Sequence, residues 1–226
     1  MGLVVLASVD ELVRQAPGPI DSWMSEGELH NLAGVKAAKR YRQFIAGHFL
    51  ARRSLASLSG GRWQDWQVTN ADSGAPLVRP PAGARPEPSV HLSLSHSGDH
   101  VACAVASQPI GVDVEMINLG RDTDSMIPLC MGSREQALLF QRADVARARA
   151  FYAHWVLKEA WLKQAHQPAS MQAIEFCPCD AEAAQAWLFE SDEWALALVG
   201  MPLDAVTLDG INLSSLRASS WARMPV

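Results

Sequence analysis

The apolar positions of the chain change period several times, and each change predicts an element. The N-terminus, MGLVVLASVDEL, has no basic region, and its apolar stretch, broken at Asp10 and Glu11, reads as a buried strand rather than a signal peptide. Ser25 with Glu28 three residues on predicts a capping box opening a helix. From Lys36 to Leu58, Tyr41, Phe44, Ile45, His48 and Leu55 fall on one helical face, and Gly60-Gly61 predicts the stop. Residues 70–89 hold Gly74, Gly83 and five prolines, and predict a long loop.

The period then falls to two. Val90, Leu92 and Leu94 alternate with His91, Ser93 and Ser95. Ser97-Gly98-Asp99 supplies a turn, and His100 to Ala106 completes a hairpin. Ile110 to Glu115 predicts a third strand, and residues 116–132 are irregular. Ser133 with Gln136 predicts a second capping box before a helical region reaching about Gln164. Trp187–Phe189 and Trp194–Val199 flank Ser191-Asp192-Glu193 as a second hairpin. Each half thus offers helix plus antiparallel strands. This predicts an α+β protein of two similar subdomains, 1–107 and 108–226, joined at Ser107-Gln108-Pro109. No internal repeat is visible by identity.

Composition narrows the class. Of 226 residues, 49% are hydrophobic, enough for a packed core, and no apolar run is long enough for a membrane span. Four cysteines in a chain this long are not a disulfide framework, so a reducing cytoplasm is expected. The net charge of −5 divides into +1 for residues 1–107 and −6 for the rest. Lys36, Lys39, Arg40, Arg42, Arg52, Arg53 and Arg62 occupy a window without an acid, between Glu28 and Asp65. Such a window fits either an anionic partner or a solvated helix face.

Three segments carry candidate chemistry. In Gly111-Val112-Asp113-Val114-Glu115, residues two apart share a strand face, so Asp113 and Glu115 project together, away from a core taking Val112 and Val114. The pair is either a set of oxygen ligands of the kind Mg²⁺ takes or simply a charged strand face. In Trp155-Val156-Leu157-Lys158-Glu159-Ala160-Trp161-Leu162-Lys163, Trp155, Glu159 and Lys163 form one stripe at i, i+4 and i+8. Glu159 and Lys163 fit a functional pair or an ordinary surface ion pair. Leu94-Ser95-His96-Ser97-Gly98 combines hydroxyl, imidazole and glycine as a phosphate cradle would. Ser95 and His96, adjacent on a strand, point to opposite faces, which disfavours a Ser–His nucleophile. Cys177-Pro178-Cys179 has the wrong spacing for a zinc knuckle.

In order and spacing, SLSHSGDHVACAV, QPIGVDVE and FYAHWVLKEAWLKQ resemble the 4′-phosphopantetheinyl transferase family, in its larger, monomeric, surfactin-synthetase-activating type. The resemblance runs from about Asn70 to Gln164, and RYRQFIAGHFLARRSL resembles the family's N-terminal helix more loosely. It implies an enzyme moving phosphopantetheine from coenzyme A to a serine of an acyl, peptidyl or polyketide carrier protein, releasing 3′,5′-ADP. Two similar subdomains related by a pseudo-twofold, each an antiparallel sheet with a long helix, would let one chain act as a monomer. By resemblance, Asp113, Glu115 and Glu159 would hold Mg²⁺, with Mn²⁺ as the alternative. Glu159 or a metal-bound water would take the serine proton. Lys163, with Lys158 beside it, would steady the leaving phosphate, and Ser95, His96 and Arg42 or a neighbour would hold the 3′-phosphate. Neither nucleic acid nor membrane is an expected partner. The rival reading is a non-catalytic coenzyme A or nucleotide-binding module of the same fold, against which the intact charged residues argue. One departure stands out: where the family commonly has a basic residue between Gly and Pro, this chain has Gly74-Ala75-Pro76, leaving Arg79 or Arg85 to substitute.

Overall fold

A computed structural model describes residues 1–70, 75–82, 90–165 and 169–224. Of the expected loop at 70–89, Gly74 and Arg85 lie outside the described residues. The chain forms two compact units, Met1–Ile110 with Ala205–Ile211, and Gly111–Asp204 with Asn212–Val226. The division falls three residues beyond the expected boundary. Ala205–Ile211, expected in the second subdomain, belongs to the first.

The first unit runs β1 (Gly2–Ser8), α1 (Val9–Gln15), α2 (Glu26–Ala33), α3 (Ala38–Ser59), β2 (Gln67–Asn70), β3 (Pro76–Arg79), β4 (His91–Ser97) and β5 (His100–Ala106). Pro76–Arg79 is therefore strand where the prolines and glycines predicted loop: it pairs with β2 from Gln67↔Arg79 to Asn70↔Pro76. A proline at the first position of an edge strand costs no ladder bond. The 22 residues of α3 lie against β1 and β5, with Ile45, Phe49 and Leu55 buried among Val5, Val101, Cys103 and Val105. Tyr41, expected on that face, is exposed.

The second unit runs β6 (Gly111–Met116), α4 (Ile127–Cys130), α5 (Ser133–Phe140), α6 (Asp144–Ala165), β7 (Phe176–Pro178), β8 (Ala186–Glu190), β9 (Trp194–Val199) and, after an excursion, β11 (Arg217–Arg223). Its five-stranded antiparallel sheet has the order β6-β9-β8-β11-β7. The excursion is β10 (Val206–Asp209), which joins the first unit's sheet as its edge, in the order β10-β1-β5-β4. It pairs with β1 in parallel, an exception to the antiparallel expectation. Gly210 makes the exit possible: its φ is +70°, and a Cβ there would sit 2.0 Å from the Leu6 carbonyl oxygen.

Both units repeat one buried device. Glu28, at the third position of α2, closes the expected capping box with Ser25 and is fully buried. Its Oε1 lies 2.7 Å from His48 Nδ1 on α3, and Arg52, one turn on, forms an ion pair with its other oxygen. In the second unit Glu135, at the third position of α5, accepts the Gly132 backbone N–H at 3.1 Å. The box thus opens one residue before the expected Ser133. Glu135 is fully buried, 3.0 Å from His154 Nδ1 on α6, and paired with Lys158 one turn further. The Glu-to-His separation is 20 residues in the first unit and 19 in the second. Burial pushes each carboxyl up, but the histidine hydrogen bond and the neighbouring charges more than reverse it, and both stay below the ordinary glutamate value.

Candidate active site

Strand β6 pairs with β9 so that Gly111, Asp113 and Glu115 stand opposite Val199, Ala197 and Ala195. Those three belong to the core beneath α6. The carboxylate face of β6 therefore looks at α6, and Val112 and Val114, both fully buried, look the other way. This reverses one expectation: Asp113 does not face solvent but is only 3% exposed. Close approach depends on Gly111, where a Cβ would sit 1.9 Å from the Ala160 carbonyl oxygen and 2.9 Å from Gln164 Cβ.

That approach brings the two motifs together. Lys163 Nζ donates to Asp113 Oδ1 at 2.6 Å and to the Val112 carbonyl at 3.3 Å. Glu159, one turn before Lys163, is half-buried. Burial raises its carboxyl above the usual range, the negative charges of Asp113 and Glu115 raise it further, and Lys163 opposes them. The four groups therefore share one electrostatic neighbourhood. Among the described residues, no three His, Cys, Asp or Glu side chains form a ready-made metal cage. The donor set is nonetheless all carboxylate, the kind a hard divalent cation takes with waters and phosphate oxygens completing its shell.

Lys158 does not belong to this site. It is fully buried, paired with Glu135, and donates to the Cys130 and Met171 carbonyls at 3.2 and 2.9 Å. The expectation that it assists a phosphate is corrected by helical geometry: it lies 100° around α6 from Glu159, on the side that meets α5.

In the first unit, alternation along β4 buries Ser95 and exposes His96, so the two side chains do not converge. The cation at His96 is Arg40, whose Nη1 lies 3.0 Å from Nε2 and 3.2 Å from Nδ1. Arg42, the residue singled out by sequence, pairs instead with Asp10 on an exposed surface. The basic window is not one patch: Arg52 is a core residue, while Arg53 is exposed, bonded to Gln15 and set over Phe49.

Counting from the two hairpin turns, His100 and Trp194 are equivalent, and their partners Ser8 and Met116 with them. Val5 then stands where Asp113 stands, and Leu3 where Gly111 stands. Counting from His48 and His154, Arg53 and Ser57 take the places of Glu159 and Lys163. The first unit thus has an aliphatic residue in place of Asp113 and a cation in place of Glu159, and does not repeat the acidic cluster. The signal identity missed is a repeated H-[FW]-[LV]-[AL]-[RK], His48–Arg52 and His154–Lys158, each about twenty residues after a helix-capping glutamate.

The chain is similar to proteins of one known family. The profile of the 4′-phosphopantetheinyl transferase superfamily matches residues 109–199, a span holding all four clustered residues. The 4′-phosphopantetheinyl transferase psf-1 of Bacillus pumilus is 31% identical over 172 residues, 72% of this chain and 69% of that protein. The 4′-phosphopantetheinyl transferase HetI of Nostoc sp. is 29% identical over 172 residues, 73% of this chain and 71% of that protein. The chain therefore belongs to the 4′-phosphopantetheinyl transferase superfamily.

Proposed function

We propose that this chain transfers 4′-phosphopantetheine from coenzyme A to a serine hydroxyl of an acyl, peptidyl or polyketide carrier protein, through Asp113, Glu115, Glu159 and Lys163 of the second unit. The observation that carries this reading is the seam between β6 and α6, which sets Lys163 Nζ 2.6 Å from Asp113 Oδ1 and within the field of two further carboxylates. A binding module would have no use for a buried acid facing a half-buried lysine and a glutamate whose carboxyl burial and acidic neighbours push above its ordinary range.

Asp113, Glu115 and Glu159 would hold Mg²⁺, which when bound supplies Lewis-acid charge to the pyrophosphate oxygens. The chain's own groups do the rest. Glu159, with its carboxyl raised by burial and by two acidic neighbours, is suited to accept the proton of the incoming serine hydroxyl. The serine oxygen bonds to the β-phosphorus as the bridging P–O bond breaks, and 3′,5′-ADP leaves with that electron pair. Lys163 offers its ammonium to the oxygen on which charge then grows. In the first unit, His96 with Arg40 beside it is the proposed anion-holding surface, while Arg42 is held by Asp10 and Ser95 lies on the opposite face of its strand. Among the described residues no helix is long and apolar enough to cross a membrane, and all four cysteines are free thiols. We further propose that the chain works as a monomer in a reducing cytoplasm.

The test is to incubate apo carrier proteins of the fatty-acid, polyketide and peptide-synthetase types with coenzyme A, Mg²⁺ and the enzyme, and to weigh the carriers. A gain of one phosphopantetheine is expected on at least one. Unchanged mass on all of them overturns the reading.

A further inference from the structure

We infer that the second unit carries a separate binding site for a small monocarboxylate with an apolar body, in the cleft at the C-terminal end of α6. The cleft has a volume of about 600 Å³, within the range of small-ligand sites and too small for a protein domain. None of Asp113, Glu115, Glu159 or Lys163 lines it. This site is independent of the transfer chemistry proposed above.

Among the described residues, Arg223 is the one charged residue on the wall. Its guanidinium lies 4.7 Å from the centre of the Trp161 ring, and its backbone N–H is held by Gln185 Oε1 at 2.8 Å. Stacking and backbone together fix the plane of the fork. Yet its Nε is buried without an acceptor, and no described carboxylate pairs with it. A buried Nε–H without an acceptor costs free energy that an arriving anion relieves. Gln164 adds a carboxamide beside it, while Val199, Met201 and Met224 supply apolar wall. One arginine fork, with no second cation among the described lining residues, offers a single positive charge, enough for the two oxygens and single charge of a carboxylate but not for the fuller charge of a phosphate.

The first unit makes a useful comparison. It has a cleft of about 480 Å³ at the equivalent place, between the end of α3 (Ser57, Leu58, Ser59) and the end of β5 (Ala106), and no charged side chain lines it. The fold therefore leaves a cleft at the end of each long helix. A cation stacked on an indole is built into the second alone.

The test uses the full chain, with the indole N–H resonances of its eight tryptophans observed by NMR and Trp161 identified by its loss in Trp161→Phe. Hexanoate, hexanamide and inorganic phosphate are titrated separately. Hexanoate should shift the Trp161 resonance saturably, with hexanamide and phosphate weaker by roughly tenfold or more. Arg223→Gln should weaken hexanoate by a similar factor, and Arg223→Lys, which keeps charge but loses the fork, by several-fold. Unshifted resonances of the other indoles would show that a variant is folded. If Arg223→Gln does not fold, Arg223→Lys decides. The inference is overturned if hexanoate gives no saturable shift up to about 20 mM. It is equally overturned if hexanamide or phosphate binds as tightly as hexanoate, or if neither folded Arg223 variant weakens binding.

Discussion

Lys163 and Asp113 meet at 2.6 Å, Nζ to Oδ1, although fifty residues separate them in the chain. Their meeting depends on a third residue, Gly111, whose missing side chain lets α6 settle onto β6. Site and packing are therefore one problem.

Lys163→Ala should lower turnover by roughly 10² or more, the scale for one preorganised electrostatic group. It should also destabilise the fold by about 1–3 kcal/mol, because Asp113 is left buried without its cation. Kinetics at saturating coenzyme A and carrier, alongside denaturant unfolding, measure both. A change in stability with normal turnover would make the pair structural.

Gly111→Ala should destabilise by about 2 kcal/mol or more, since the new Cβ would meet backbone that cannot swing aside. At a temperature where the variant is still folded, turnover should fall further than the folded fraction accounts for, because Glu159 and Lys163 move away from Asp113. Activity proportional to the folded fraction would refute the seam as a positioning device.

Glu159 has a raised folded-state pKa, so its protonated form is favoured by folding. The stability it contributes is present below the ordinary glutamate value and is lost as pH rises through the higher folded value. In metal-free buffer at pH 7, Glu159→Gln should raise Tm by about a degree or two, a gain kept small by partial solvent access. The gain should vanish below about pH 4, the ordinary glutamate range, while transfer activity is lost throughout. A fall in Tm at pH 7 would contradict the electrostatic account.

Lys158→Ala should cost about 3–5 kcal/mol, because it strands the buried carboxylate of Glu135. The KM for coenzyme A in the folded fraction should not move. A rise in that KM with little loss of stability would return Lys158 to the phosphate site.

How far the sequence disclosed this arrangement depends on the range of the physics involved. The two hairpins, the strand at Gly111–Met116 and the long helices are set by local period and turn chemistry, and each was legible. The Ser25–Glu28 capping box was legible for the same reason. Tertiary relationships were less so. Strand period put Asp113 and Glu115 on one face but could not say that the face looks at α6, because Val112 and Val114 are equally buried on the other. The role of Lys158 was obscured because it neighbours Glu159 in sequence while pointing 100° away around the helix. The pairing of β10 with the first unit is a contact of some two hundred residues' separation that no local pattern announces. The duplication hid for a related reason: it is preserved in a glutamate, a histidine and a cation that must be buried together, and not in the residues between them.

The most direct measurement is single-turnover transfer from coenzyme A to an apo carrier, comparing the wild type with Asp113→Ala, Glu159→Gln and Lys163→Ala at matched folded fractions, each read as mass gained by the carrier. The account predicts rapid gain of one phosphopantetheine with the wild type and a loss of roughly 10² or more in rate for each variant. Three variants transferring at the wild-type rate would contradict it.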